Sequence, residues 1–523
     1  MRTVAGRRHT VRAAPHLSDL TDAIVAEPDA DVRRIRSPLD DKPLVDLPLS
    51  TTSDVTCAVQ VGRAAQRAWQ ALNPGRRAAI VLDFHDRLLA GQDELLDLIQ
   101  RETGKTRANA FEEIAEVANV ARHYARRAAS LLAPRRRRGA LPMLATATQT
   151  RQPRGVVGIV TPWNYPFALT LGEATAALLA GNAVLLRPDP RTSLSALWGL
   201  RQLREAGLPP GVLQVVTGDG DPIGEAVIRC TDYVSFTGST RTGRMVALLA
   251  AHRLIGCHLE LGGKNALYVR ADANLDAAVR IALSSAFAGA GQVCVHTERL
   301  LLHADIAEQF LAAFLPAVRR LRLGVGLGYG YDMGSLIGAD QLQRVVAHVD
   351  DARRHGARVL TGGRARPDIG PWVYEPTVLE GVTAAMEVRD AETFGPVLSV
   401  YRVDDDDAAV RLVNDSDYGL HATIVTGDRA AARTLAPRLR TGTVSINESY
   451  LASWGATAAA MGARGLSGTG GRHGTDGLLK YTVVQTVAEQ RAGTLGVSGE
   501  SRQRWFAAAF SRSLRAARRA RLS

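Results

Sequence analysis

The sequence predicts an α/β protein with two doubly wound α/β lobes and a small β extension. Three patterns predict it. Residues 151–240 alternate short apolar runs with helical segments, and residues 267–445 repeat that alternation. Two segments of alternating polarity, 140–155 and 480–490, belong to neither block. The chain has 523 residues, 46% hydrophobic and 22% charged, enough for a sizeable core.

Residues 1–35 read as a leader wrapping a surface. Residues 75–132 read as helices, with Phe111, Ile114, Val117 and Val120 recurring every three residues, and Arg135–Arg138 reads as a solvated turn. RGVVGIVTPWNYP is a strand broken at Pro162, and a helix follows to Gly181. The apolar run Ala183–Leu186 is a buried strand, stopped by the prolines on either side of Asp189. Helix 192–206, strand 212–218, helix 221–229 and strand 233–240 complete the first lobe, assigned to 36–139 and 156–262. The second lobe, 263–479, has a long helix at 305–322 and strands near 357–360 and 397–402. Residues 140–155 and 480–495 read as strands that leave one subunit to pair with another. The tail, 496–523, places Trp505, Phe506, Phe510 and Leu514 on one helical face and arginines on the other. The favoured reading is a stripe docked on the body or on a neighbouring subunit; a membrane-surface helix is the alternative.

The formal charge is +12, but residues 491–523 alone hold eight arginines against the single acid Glu500. That distribution argues against a nucleic-acid partner. Lys42, Lys105, Lys264 and Lys480 are the only lysines. Cys57, Cys230, Cys257 and Cys294 are widely spaced, which suits neither a disulfide framework nor a metal site and fits a reducing cytoplasm. No apolar run reaches the ~18 residues of a membrane span. A cytoplasmic protein is expected.

Five stretches carry candidate chemistry. In AGAGQVCVHTERL (288–300), Cys294 follows Gly289 and Gly291, which let backbone approach a ligand closely; it reads as a nucleophile or a small buried hydrophobe. In CHLELGGKN (257–265), Glu260 ends an apolar run before Gly-Gly, where desolvation suits a general base; a glutamate paired with an arginine is the other reading. In VTPWNYP (160–166), Asn164 stands at a strand end, as an oxyanion donor or a turn asparagine. SFTGST (235–240) runs a strand into Gly238 and Ser239 ahead of a helix, a phosphate site or a generic helix start. AETFGPV (391–397) places Glu392 and Phe394 before a Gly-Pro turn.

In this order and spacing the five resemble the aldehyde dehydrogenase superfamily over residues 40–490, and within it bacterial NADP-linked succinate-semialdehyde dehydrogenases. The resemblance implies that Cys294 attacks an aldehyde, that Asn164 and the Cys294 backbone N–H hold the oxyanion, and that Glu260 activates the water that hydrolyses the thioester. It also implies that Leu261 faces the nicotinamide amide, that Glu392 and Phe394 flank its ribose, and that Trp163, Gly238 and Ser239 line the phosphates. The first lobe becomes the cofactor domain and the second the catalytic domain. The assembly becomes a homo-oligomer, dimer or tetramer. At the adenosine end, Arg187 replaces the family's usual lysine, and Pro190 stands where NAD-preferring members carry a glutamate. NADP is therefore the expected cofactor and NAD the alternative, with Asp189 able to restore repulsion if it turned inward.

The chain departs from the family in one region. Glu173 occupies the place of a common lysine, and Gly172 and Ala288 stand where succinate-semialdehyde enzymes carry carboxylate-gripping arginines. Arg464 or Arg472 is the expected substitute. A broad-specificity aldehyde dehydrogenase is the alternative reading; a non-catalytic structural or RNA-binding relative is disfavoured because Cys294 and Glu260 are both present.

Overall fold

The structure is a computed structural model and describes residues 17–138, 145–491 and 497–520. The first 16 residues of the leader, parts of both extension segments and the last three residues of the tail lie outside that description.

The first lobe is a six-stranded sheet in the order Gly468–Thr469, Gly256–Glu260, Tyr233–Thr237, Val156–Val160, Ala183–Arg187, Leu213–Val215. All pairs are parallel except that of Gly468–Thr469, which enters antiparallel from the far end of the chain. Val156–Val160, Ala183–Arg187 and Tyr233–Thr237 are buried at every position, as central parallel strands covered on both faces must be. The helix Pro166–Leu179 is likewise buried all round. Pro166 starts it without losing a useful N–H, and Gly181, at φ +94°, turns the chain into the next strand.

The second lobe has seven strands: Arg358–Thr361, Thr377–Glu380, Val397–Val403, Thr297–His303, Asn265–Val269, His421–Val425 and Thr443–Ile446. Only the outermost pair, Arg358–Thr361 with Thr377–Glu380, is antiparallel. One buried cluster covers each face. Both predicted lobes are therefore doubly wound.

Four readings change. The strand Val32–Arg36 pairs with Pro43–Pro48, so the end of the leader belongs to a hairpin with the residues that follow. Arg135–Arg138 is not a turn. It is the outer strand of a three-stranded antiparallel sheet with Ala145–Pro153 and Thr482–Gln490, where Arg137 donates to Gln149 from an exposed edge. Phe111 is exposed, whereas Ile114, Val117 and Val120 of the same helix, Arg107–Leu132, are buried. The tail helix, Glu500–Arg519, buries none of its residues, so it is not docked on the body. Phe506 and Phe510 stack on each other, but Trp505, one residue and therefore about 100° earlier, is 70% exposed and off their face. No helix among the described residues is long and apolar enough to cross a membrane.

A buried ion pair braces the start of the second lobe. Lys264, just beyond strand Gly256–Glu260, pairs with Glu298 in strand Thr297–His303, and both side chains are fully enclosed. Glu298 also accepts the backbone N–H of Thr393 (2.8 Å) and of Phe394 (2.9 Å). Glu298→Ala should lower stability by about 3–5 kcal/mol, because it strands a buried ammonium. The double variant Lys264→Met, Glu298→Leu should lose less than Glu298→Ala alone, read from urea midpoints.

Candidate active site

The carboxyl ends of the first lobe's strands supply one wall of the site. After Val156–Val160 come Trp163 and Asn164, after Tyr233–Thr237 come Gly238 and Ser239, and after Gly256–Glu260 comes Leu261. Because the strands are adjacent and parallel, these residues line one edge of the sheet, where open α/β sheets bind ligands. The second lobe supplies the facing wall from loops that precede its strands: Cys294 before Thr297–His303, and Glu392 and Phe394 before Val397–Val403.

A cavity of about 180 Å³ brings them together. Trp163, Asn164, Gly238, Ser239 and Leu261 line it from the first lobe, and Cys294, Glu392 and Phe394 from the second. A larger cleft of about 950 Å³, beside Arg87 and Trp198, contains none of the predicted residues.

The loop carrying Cys294 is fixed from several sides. Asn265 Nδ2 donates to the carbonyls of Cys294 (2.7 Å) and His296 (2.8 Å). Gly291 does not clear space for a ligand. A Cβ there would stand 2.1 Å from the Gly395 carbonyl, so the glycine lets this loop pack on the Glu392–Pro396 loop. Burial, reinforced by the charges of Glu260 and Glu392, pushes the Cys294 thiol up to about 12, against the opposing charge of Arg472.

Asn164 donates from Nδ2 to the Gln292 carbonyl (2.9 Å), which uses one of its two amide hydrogens, while its Oδ1 is buried without a partner among the described residues. Its own carbonyl accepts from Lys105 Nζ (2.7 Å), and Lys105 pairs with Glu113 at 2.6 Å. Glu113 in turn accepts the N–H groups of Phe167 and Ala168 at the start of helix Pro166–Leu179. Sequence reasoning missed this brace, although the scarcity of lysine marked Lys105. Of the four lysines, Lys105 and Lys264 prove to be buried at or behind the site, and Lys480 is half-buried there.

Glu392 accepts the Gly263 N–H (2.8 Å), and burial followed by the Glu298 charge raises it to about 7. Phe394, at φ +57°, meets Trp163 edge-on at 5.5 Å between centroids. Ser239 caps helix Thr240–His252 by accepting from Thr242 N. Leu261 is buried, with its N–H on the Ser467 carbonyl.

The opposite end of the sheet edge holds Arg187 and Pro190. Arg187 is buried, donates from Nη2 to the Gly218 carbonyl and leaves Nε without a partner among the described residues. Pro190 opens a short 3-10 turn that Asp189 caps, and Asp189 pairs with Arg191 at 3.0 Å. The second arginine and the acid thus occupy each other. Arg33, from the predicted leader, joins this end through a two-pronged pair with Asp219 at 2.7 Å. Its sequence context gave no sign of that role.

Behind Cys294 lies a buried charged cluster. Arg472 Nε is 3.0 Å from Glu173 Oε1, and Lys480 Nζ is 2.8 Å from Glu173 Oε2. Burial opposes ionisation of Glu173, but these two cations hold it well below the usual carboxylate range. Arg464 is exposed, in a short pairing with Tyr418 and Gly419. The cavity is thus lined by a thiol, Cys294, an amide donor, Asn164, and a carboxylate, Glu392, while Glu260 and the cations Arg472 and Lys480 are not among its lining residues.

Comparison with known proteins gives the family. A Mycolicibacterium smegmatis protein whose name reads putative succinate-semialdehyde dehydrogenase, NADP(+), is 44% identical over 93% of this chain and 96% of its own. Among solved structures, an Escherichia coli NADP-dependent enzyme superposes with a TM-score of 0.86 at 30% identity, covering 91% of this chain and 99% of that one. The succinate-semialdehyde dehydrogenase of Burkholderia pseudomallei gives 0.85 at 32% identity, covering 89% and 96%. Residues 25–487 match the aldehyde dehydrogenase family throughout, and the chain belongs to that family.

Proposed function

We propose that the protein oxidises succinate semialdehyde to succinate with NADP(+). Cys294 Sγ, as thiolate, bonds to the aldehyde carbon, and the resulting oxyanion is held by the second amide hydrogen of Asn164 and the backbone N–H of Cys294. A bound nicotinamide would supply the hydride acceptor for that carbon. Cys294 is left as a thioester. Glu260 takes a proton from water as the water oxygen bonds to the thioester carbon; the C–S bond breaks, releasing the acid and the thiolate. Leu261, Glu392, Phe394 and Trp163 would hold the nicotinamide half, and Gly238 and Ser239 the phosphates. The orphaned Nε of Arg187 fits a 2′-phosphate, and neither Pro190 nor the occupied Asp189 repels one.

The observation that carries the substrate assignment is Arg472. It is 6% exposed, a Cβ on Gly172 would stand 3.4 Å from its Nη2, and its Nη atoms donate no hydrogen bond to a described residue. Its charge acts on both Cys294 and Glu260. The guanidinium thus reaches the space beside Gly172 from the other side. Glu173 is shared with Lys480, which leaves the Nη donors of Arg472 open to a substrate carboxylate, although the charges of Glu116 and Glu260 also reach this guanidinium. The exposed valines Val483, Val484 and Val487 of the three-stranded sheet support assembly of two or more copies through that sheet.

Three outcomes follow. Arg472→Gln should lower kcat/KM for succinate semialdehyde roughly tenfold to a hundredfold, the worth of a charge-assisted pair, and change that for butanal far less. Pro190→Glu should shift the ratio of kcat/KM values from NADP(+) towards NAD(+) by roughly tenfold. Without cofactor, alkylation of Cys294 by iodoacetamide should be slow at neutral pH and rise about tenfold per pH unit without levelling below about pH 11, read by peptide mass mapping.

A further inference from the structure

His258 stands two residues before Glu260 on the same strand, so both side chains leave the same face. Its ring is 2% exposed. His258 Nε2 lies 3.0 Å from Glu260 Oε1, off the line of a hydrogen bond, and neither atom has another partner among the described residues. Two buried, unsatisfied polar atoms facing each other at contact distance are costly apart and gain by a small rotation of the carboxylate.

The other side of the ring fixes its proton. Lys480 Nζ has three acceptors in reach: Glu173 Oε2 at 2.8 Å, His258 Nδ1 at 3.2 Å and the Gly471 carbonyl at 3.4 Å. An ammonium has three hydrogens, so each acceptor takes one, and Nδ1 of His258 is an acceptor. Ser235 Oγ approaches the same Nδ1 at 3.4 Å. The proton of the neutral ring is then on Nε2, directed at Glu260. The glycine-rich segment makes room for this ring. Gly470 has φ +100°, and a Cβ there would stand 2.5 Å from His258 Cδ2.

We propose that His258 is a positioning residue for Glu260: its Nε2–H anchors Oε1 and leaves Oε2 to take the proton of the hydrolytic water. The proposal rests on the reading of Glu260 as the hydrolytic base. His258 moves no proton itself. Lys480 acts one step further back by fixing the tautomer, and Glu173 holds Lys480.

The test uses two polar replacements in the full-length protein. Gln places an amide nitrogen near the position of Nε2, whereas Asn places one near Nδ1. His258→Asn should slow steady-state turnover roughly tenfold, the worth of a hydrogen bond to a charged group, while the first turnover of reduced cofactor keeps its rate in stopped flow. His258→Gln should return turnover to within about threefold of the parent. Wild-type turnover in His258→Asn, loss of first turnover together with steady state, or a Gln variant as slow as Asn would overturn the proposal. Glu260→Gln is the control. If it hydrolyses freely, the reading of Glu260 fails; if it stalls while His258→Asn turns over normally, only the role of His258 fails.

Discussion

The site depends on one buried carboxylate. Glu298 is four residues beyond Cys294, Lys264 is four beyond Glu260, and Thr393 lies between Glu392 and Phe394. Glu298 binds Lys264 and the backbone of Thr393 and Phe394, and Lys264 also donates to the Ala391 carbonyl at 2.9 Å. Three segments, each carrying a candidate functional side chain, are thereby tied in one polar knot. Burial by itself would raise Glu298, but Lys264 and His296 hold it well below the usual carboxylate range, so this carboxylate stays ionised across ordinary pH. Breaking such a pair from one side leaves a bare charge in the interior, which makes alternative arrangements of these loops expensive.

Around that knot the electrostatics divide. On the side of Glu392, that carboxyl is raised to about 7 by burial and by Glu298, and the Cys294 thiol is raised to about 12 by burial with Glu260 and Glu392 beside it. On the side of Gly172, Arg472 and Lys480 share Glu173, and the charge of Arg472 opposes the carboxylates near Cys294. The exposed charges of the tail helix take no part in this balance.

The two lobes and the cavity residues were legible because each motif joins a special backbone need to a reactive group: a strand end before Asn164, a Gly-Gly after Glu260, a Gly-Pro turn after Phe394. The supporting charges were not. Glu113 and Glu298 lie in helix and strand patterns that give no warning that they accept backbone N–H groups far away in sequence. Arg33 meets Asp219 only because the hairpin Val32–Arg36 with Pro43–Pro48 folds back across the sheet edge. Arg135–Arg138 misled because a strand on an exposed edge needs no apolar alternation, only a partner for its backbone. Gly291 was credited to a ligand, and its true neighbour, Gly395, is 104 positions away and visible only in three dimensions.

The central claim is that an aldehyde passes through a thioester on Cys294 that Glu260 clears. The direct measurement is peptide mass spectrometry of the Glu260→Gln protein, quenched in acid after mixing with succinate semialdehyde and NADP(+). The account predicts a succinyl adduct on the peptide containing Cys294, near one per active site and absent when NADP(+) is omitted. No adduct while reduced cofactor continues to form, or an adduct on Cys57, Cys230 or Cys257 instead, would contradict it.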